Sequence, residues 1–245
     1  MTSATLTHLT DNRRAALESI TADLQGIFRN RLRSVCAYGL GTGDDRETHT
    51  VAFVDQLSFE DLVACAPRTR AWQIRGLAVP LLLQADEFSR SLDVFPLEYG
   101  EIIAHHVRLY GDDPFAGVAV SEQDRRRGCE MQAKSHLIHL RESFLETQGE
   151  PRAVSRMIAA SAEGFRRLLE NLVTLVRPSG DHPAGHPDLA LDAEQLVGVP
   201  AALTREVLAA AASGGPTTIA DPSALMARYI DAVEDIWAFV DRWKR

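Results

Sequence analysis

Residues 34–55 read SVCAYGLGTGDDRETHTVAFVD, and this stretch decides the fold. A short β-prone run, Ser34 to Tyr38, ends at Gly39. A second, Thr48 to Val54, follows the polar, glycine-rich GLGTGDDRE. Apolar runs of this length, bounded by Gly and Asp, read as two strands joined by a loop or hairpin. Working outward toward the N-terminus, the segment from about Thr10 to Arg33 places Leu17, Ile20, Leu24, Ile27, Phe28 and Leu32 at helical spacing, with charges on the other face. That is an amphipathic helix. On the other side, Ser58 to Ala66 begins S-F-E-D-L, an N-cap with acidic residues in the first turn. Leu77 to Gln84 and Ser91 to Leu97 read as further strands. The N-terminal part is therefore α+β, with a small mixed sheet of about three to five strands within residues 34–100.

From about Val118 the strand signals vanish and helical spacing takes over. Ser121 and Asp124 resemble a capping box, opening a long helix to Phe144 or Leu145 that ends near Gly149. Pro151 fits the first turn of the next helix, in which Val154, Met157, Ile158, Phe165, Leu168, Leu169, Leu172 and Val176 form an apolar stripe. Two long helices with so tight a connection pack antiparallel. Arg177 to Asp192, with three prolines and two glycines, reads as a loop. A helix from about Pro200 to Ala212 follows. The last runs from Asp221-Pro222 to Trp243, with Leu225, Tyr229, Val233, Ile236 and Val240 on one face. The expected division is residues 1–117 for the α+β domain and 118–245 for an all-α, four-helix bundle.

Charge and composition narrow the function classes. The 245 residues carry 26 Lys+Arg against 34 Asp+Glu, a net charge of −8, which argues against a nucleic-acid binder because phosphate neutralisation needs a basic surface. At 45% hydrophobic and 24% charged, the composition is that of a globular protein. Cys36, Cys65 and Cys129 are odd in number and widely spaced, which suggests neither a disulfide framework nor a zinc knuckle. The start of the chain lacks a basic segment followed by an apolar core, and Pro80 interrupts the apolar run Leu77–Leu83. A reducing cytoplasm is expected, with no export and no membrane span. Only Lys134 and Lys244 are lysines and Ala is abundant, as GC-rich bacterial coding favours.

Four groups of residues could carry chemistry. Gly39, Gly41 and Gly43, with Thr42 among them, follow a strand, where backbone N–H groups can approach a phosphate. The spacing fits neither standard phosphate fingerprint, and Asp44 and Asp45 would repel an anion unless a metal intervened, so a plain hairpin turn is the alternative. Asp55 closes the run Val51–Val54, and Asp93 lies inside Ser91–Phe95; two aspartates on neighbouring strands could hold Mg²⁺ for phosphoryl or nucleotidyl transfer. Each could equally point into water. The pairs His105/His106 and His136/His139, and the loop residues His182, His186 and Asp188, lack the convergent spacing of a first-row metal site and read by default as helix surface or loop. Arg125-Arg126-Arg127, with Glu122, Asp124 and Glu130 nearby, reads as a solvated helix face.

In order along the chain, Ser34–Gly39, Val51–Asp55, Leu92-Asp93-Val94 and His106-Val107-Arg108-Leu109-Tyr110-Gly111, followed by helices, resemble the DNA polymerase β-like nucleotidyltransferase superfamily. The layout is similar to that of its small kanamycin-nucleotidyltransferase-like members. In that family a strand ends in Tyr-Gly-Ser, the next carries Asp-x-Asp, a third supplies another Asp, and a helical substrate-binding domain follows. The resemblance implies Asp55 and Asp93 as catalytic and metal-binding residues, Gly39, Gly41, Thr42 and Gly43 at the nucleotide, Mg²⁺ if the protein is active, and a nucleoside triphosphate as ligand. The departures imply erosion: Gly39-Leu40 or Gly41-Thr42 replaces Gly-Ser, Asp55 alone replaces the acid pair, and the helix after Gly-Ser has no room. Losing one of three shared carboxylates disables two-metal transfer.

The expectation is a nucleotidyltransferase-like protein with a degraded metal site, binding or regulatory in role, with a nucleotide or small molecule as ligand. The first alternative is an active Mg²⁺-dependent enzyme moving a nucleoside monophosphate onto a hydroxyl, with Asp44 or Asp45 replacing the missing acid. The second is a helical module for dimerisation or for a protein partner.

Overall fold

The computed structural model describes residues 9–40, 48–177, 188–212 and 219–243. They form two compact units, Met1–Val120 and Ser121–Arg245. The first is a four-stranded mixed sheet with helices, and the second is entirely helical among its described residues.

In the first unit, helix α1 (Asp11–Phe28) is capped by Thr10, whose side chain accepts from the Arg13 amide. One turn of 3₁₀ helix, Arg29–Arg31, leads directly into β1 (Leu32–Tyr38), so α1 runs back along the strand it feeds. β1 pairs antiparallel with β2 (His49–Val54), from Leu32↔Val54 at one end to Tyr38↔His49 at the other. This is the expected strand pair. Helix α2 (Phe59–Cys65) starts at Ser58 in a reciprocal capping box with Asp61, as S-F-E-D-L predicts. α3 (Thr69–Ile74) follows, and then β3 (Leu81–Gln84) runs parallel to β2. The expected strand from Leu77 is shortened because Pro80 offers no N–H; Leu77 keeps only an isolated bridge to Thr48.

Residues 91–97 correct the sequence reading, for they form no strand. After α4 (Ala85–Arg90) the Ser91 hydroxyl turns back to the Glu87 and Phe88 carbonyls, and Pro96 begins α5 (Pro96–His105). A side chain that satisfies helix-end carbonyls, followed by a proline at the first helical position, makes a helix–turn–helix out of apolar residues that alternate like a strand. The fourth strand instead lies past residue 100: β4 (Val107–Gly111) pairs antiparallel with β1, giving the sheet order β3-β2-β1-β4.

Each sheet face carries its own core. Ala52, Val54, Val35 and Ala37 pack with Leu17, Ile20, Leu24 and Phe28 of α1 and with Trp72. Cys36, Val51 and Phe53 face Phe88, Tyr99, Ile102 and Phe115, where Phe53, Phe88 and Phe115 meet edge to face.

Among its described residues the second unit has five helices, in keeping with a bundle of four or more: α6 (Glu122–Glu146), α7 (Pro151–Val176), α8 (Leu189–Val197), α9 (Ala201–Ala212) and α10 (Pro222–Arg242). α8 occupies the end of the expected loop. Asp188 supplies the cap, accepting from the Ala190 and Leu191 amides and pairing with Arg205. Along α10, Leu225, Tyr229, Val233, Ile236 and Val240 are wholly buried, as their spacing predicts. The basic run is not all solvated, for Arg126 donates to the Val240 carbonyl as well as pairing with Glu130.

Candidate functional site

The β1–β2 register decides which sequence candidates can share a site. Gly39 follows Tyr38, at the end of the ladder where His49 stands, while Asp55 follows Val54, at the end where Leu32 stands. With six residue steps between the ends at about 3.3 Å each, Gly39 and Asp55 lie about 20 Å apart. They are not one site. Asp55 instead pairs with Arg33 of the adjacent strand and takes an amide hydrogen bond to the Arg31 carbonyl (3.0 Å) through its own N–H. Asp93 lies exposed in the turn between α4 and α5, joined to Asp55 by no hydrogen bond or ion pair. Gly41, Thr42 and Gly43, with Asp44 and Asp45, lie outside the described residues, as do His182 and His186.

The Gly39 end of the sheet has a definite construction. Gly39 has φ +67°, and a Cβ there would come within 3.2 Å of the His49 ring. That ring stacks on Tyr38 with centroids 5.4 Å apart. Burial, with the Glu101 carboxylate second, raises the Tyr38 hydroxyl above its ordinary pKa. On the opposite face of β2, the side facing α1, stand Thr48 and Thr50. They are 1% and 0% exposed, and neither hydroxyl has a hydrogen-bond partner among the described residues. Thr48 is held by its backbone, donating to Gly76 O and accepting from Ala78 N.

At the Gly39 end of β2, the two side chains that share one face are those of Thr48 and Thr50. Mg²⁺ is held in nucleotide sites by carboxylates that offset its charge, and neutral hydroxyls in an apolar setting give no such compensation. Among the described residues no three His, Cys, Asp or Glu side chains gather where a metal could sit. The donor set on β2 does not fit a divalent cation.

The described histidines are used locally. His106 is pinned between Ile103 O (3.0 Å from Nδ1) and Asp113 Oδ1 (3.3 Å from Nε2), with its ring against Phe115. His136 bonds Tyr229, and His139 bonds Glu142. Cys36 is buried beside Ser34, and burial pushes its thiol up to about 11, so it is no nucleophile at neutral pH.

No family model and no curated protein matches the sequence. Among solved structures, spectinomycin adenyltransferase AAD(9) from Enterococcus faecialis, crystallised with ATP and spectinomycin, superimposes with a TM-score of 0.54 at 9% identity, covering 90% of this chain and 99% of that one. The chain has a nucleotidyltransferase-like fold. This agrees with the fold that the resemblance implied.

Sequence reasoning missed Thr48 and Thr50. The signal was present in THTVAFV: in a strand alternating about His49, they are the two polar side chains on the face that continues through Ala52 and Val54.

Proposed function

We propose that this protein uses a nucleotidyltransferase-like fold to bind a nucleotide or a small molecule without transferring a nucleotidyl group through a pair of metal ions. The observation that carries this reading is the pair of buried hydroxyls of Thr48 and Thr50, without a hydrogen-bond partner among the described residues, at the Gly39 end of β2. A transfer enzyme needs anionic ligands there to hold cations against the triphosphate. The solved relative in fold holds ATP and spectinomycin, which supports a nucleoside triphosphate and a compact hydroxyl-bearing molecule as the ligands to try first. Phosphates would be met by backbone N–H groups of the turn opened by Gly39. Asp55 anchors Arg33 across the far end of the ladder and takes no part.

The test is calorimetric titration of the full chain with ATP, GTP, CTP and UTP, each in Mg²⁺ and in chelator. Binding of similar strength in both buffers, with no transfer of labelled nucleotide to a hydroxyl acceptor, is the expected result. Tight binding only in Mg²⁺, with turnover, would overturn this reading in favour of an active transferase. Silence with all four nucleotides would remove the nucleotide from it.

A further inference from the structure

The second unit contains a buried polar pair that no part of the proposed site uses. His136 on α6 places Nε2 2.7 Å from the Tyr229 hydroxyl on α10. Tyr229 is wholly buried, and its ring meets Phe165 of α7 edge to face with centroids 4.8 Å apart. A neutral imidazole with its proton on Nε2 donates to the Tyr229 oxygen. That bond joins α6 to α10, and Phe165, which lies against both rings, brings α7 into the same seam.

The surroundings suit the neutral ring and no other. Phe165 of α7 lies nearly parallel to it at 6.2 Å, and the remaining edge faces Gly164, where a Cβ would come within 3.3 Å of Cε1 and 3.4 Å of Nδ1. From α10 the titratable group facing the ring is Tyr229; from α7 come Phe165 and Gly164, neither of them charged; on α6 itself His139 stands one turn away. No hydrogen bond or ion pair links His136 to a carboxylate among the described residues, so a proton added at Nδ1 would create a charge without a countercharge.

We infer that the α6–α7–α10 seam is an acid-sensitive latch, closed while His136 is neutral and loosened when the ring takes a second proton. Burial, followed by repulsion from His139, lowers the His136 pKa from the ordinary 6.5 to about 4. The unfolded chain therefore binds the proton first as pH falls. The latch's contribution is complete above about pH 6.5 and drains away toward pH 4. This inference is independent of the nucleotide site.

The experiment compares denaturant unfolding of the full-length protein and its His136→Gln variant at pH 7 and pH 4.5. Gln keeps an N–H for Tyr229 but cannot titrate. The wild-type unfolding constant should rise about fiftyfold more than the variant's over this interval, the factor set by linkage between pKa values of about 4 and 6.5. An equal rise in both proteins would overturn the latch. If His136→Gln does not fold, the NMR titration of the His136 ring in the wild type decides: a midpoint well below 6.5 supports the inference, and one at or above 6.5 refutes it.

Discussion

Thr48 and Thr50 and the carboxylates expected to serve in their place show what single residues contribute to this account. A buried hydroxyl without a partner costs about 1–3 kcal/mol relative to an apolar group of the same shape. Thr48→Val and Thr50→Val, which conserve that shape, should therefore each raise stability by about 1 kcal/mol in urea unfolding. A loss of stability would mean that the hydroxyls are already satisfied. Asp61 is a carboxylate whose role is structural. Arg31 grips it at 2.6 and 2.8 Å, and the Ser58 amide adds a third bond; the Arg31 contact, more than any other, holds its pKa down from 3.8 to about 2. Because that pKa is depressed by folding, its contribution is full above about pH 4 and is lost as pH falls through about 2. Asp61→Ala should cost about 1–2 kcal/mol at pH 7 and much less at pH 2, where about half of the folded protein has this carboxyl protonated, whereas Asp55→Asn and Asp93→Asn, both at exposed positions, should cost less than about 1 kcal/mol.

At the scale of elements, helices with caps and long apolar stripes were legible in the sequence: Ser58, Ser121, Pro151 and Asp221 mark starts that the structure keeps. Strand facing and strand ends were not. Residues 91–97 carry strand-like residues, yet local hydrogen bonding from Ser91 and the ring of Pro96 override that preference. Val107–Gly111 is noted for its resemblance but not read as a strand, because its five residues draw their stability from pairing with β1, a partner distant in sequence. Gly111 ends that strand with φ +74°, and a Cβ there would fall 1.8 Å from the Arg33 carbonyl oxygen. No neighbour can yield, since the obstacle is backbone. Gly111→Ala should destabilise the first unit by more than about 3 kcal/mol in thermal unfolding, whereas Gly117→Ala, which meets no atom within 4 Å, should cost only the strain of its own positive φ, about 1 kcal/mol. Equal effects of the two would show that β4 does not pack against β1 as described. The candidate site was misread for the same reason. Asp55 and Gly39 are close in sequence, and only the antiparallel register shows that a strand's length separates them.

For the whole molecule, a net charge of −8 leaves duplex DNA and RNA without electrostatic attraction, so no shift in a gel assay is expected at about 0.15 M salt. Sub-micromolar binding at that salt would reveal a local basic face. No described helix is long and apolar enough to cross a membrane. The fold is nucleotidyltransferase-like, and the face of β2 at the Gly39 end carries the buried hydroxyls of Thr48 and Thr50. The most direct test is a Mn²⁺ titration of the full-length protein, with and without ATP, followed by electron paramagnetic resonance of the free ion. The account expects the protein to take up no stoichiometric Mn²⁺ in the micromolar range, and ATP to sequester the ion no better with protein than without it. One or two saturable sites that appear with ATP, and are lost on substituting any aspartate of this chain, would contradict it.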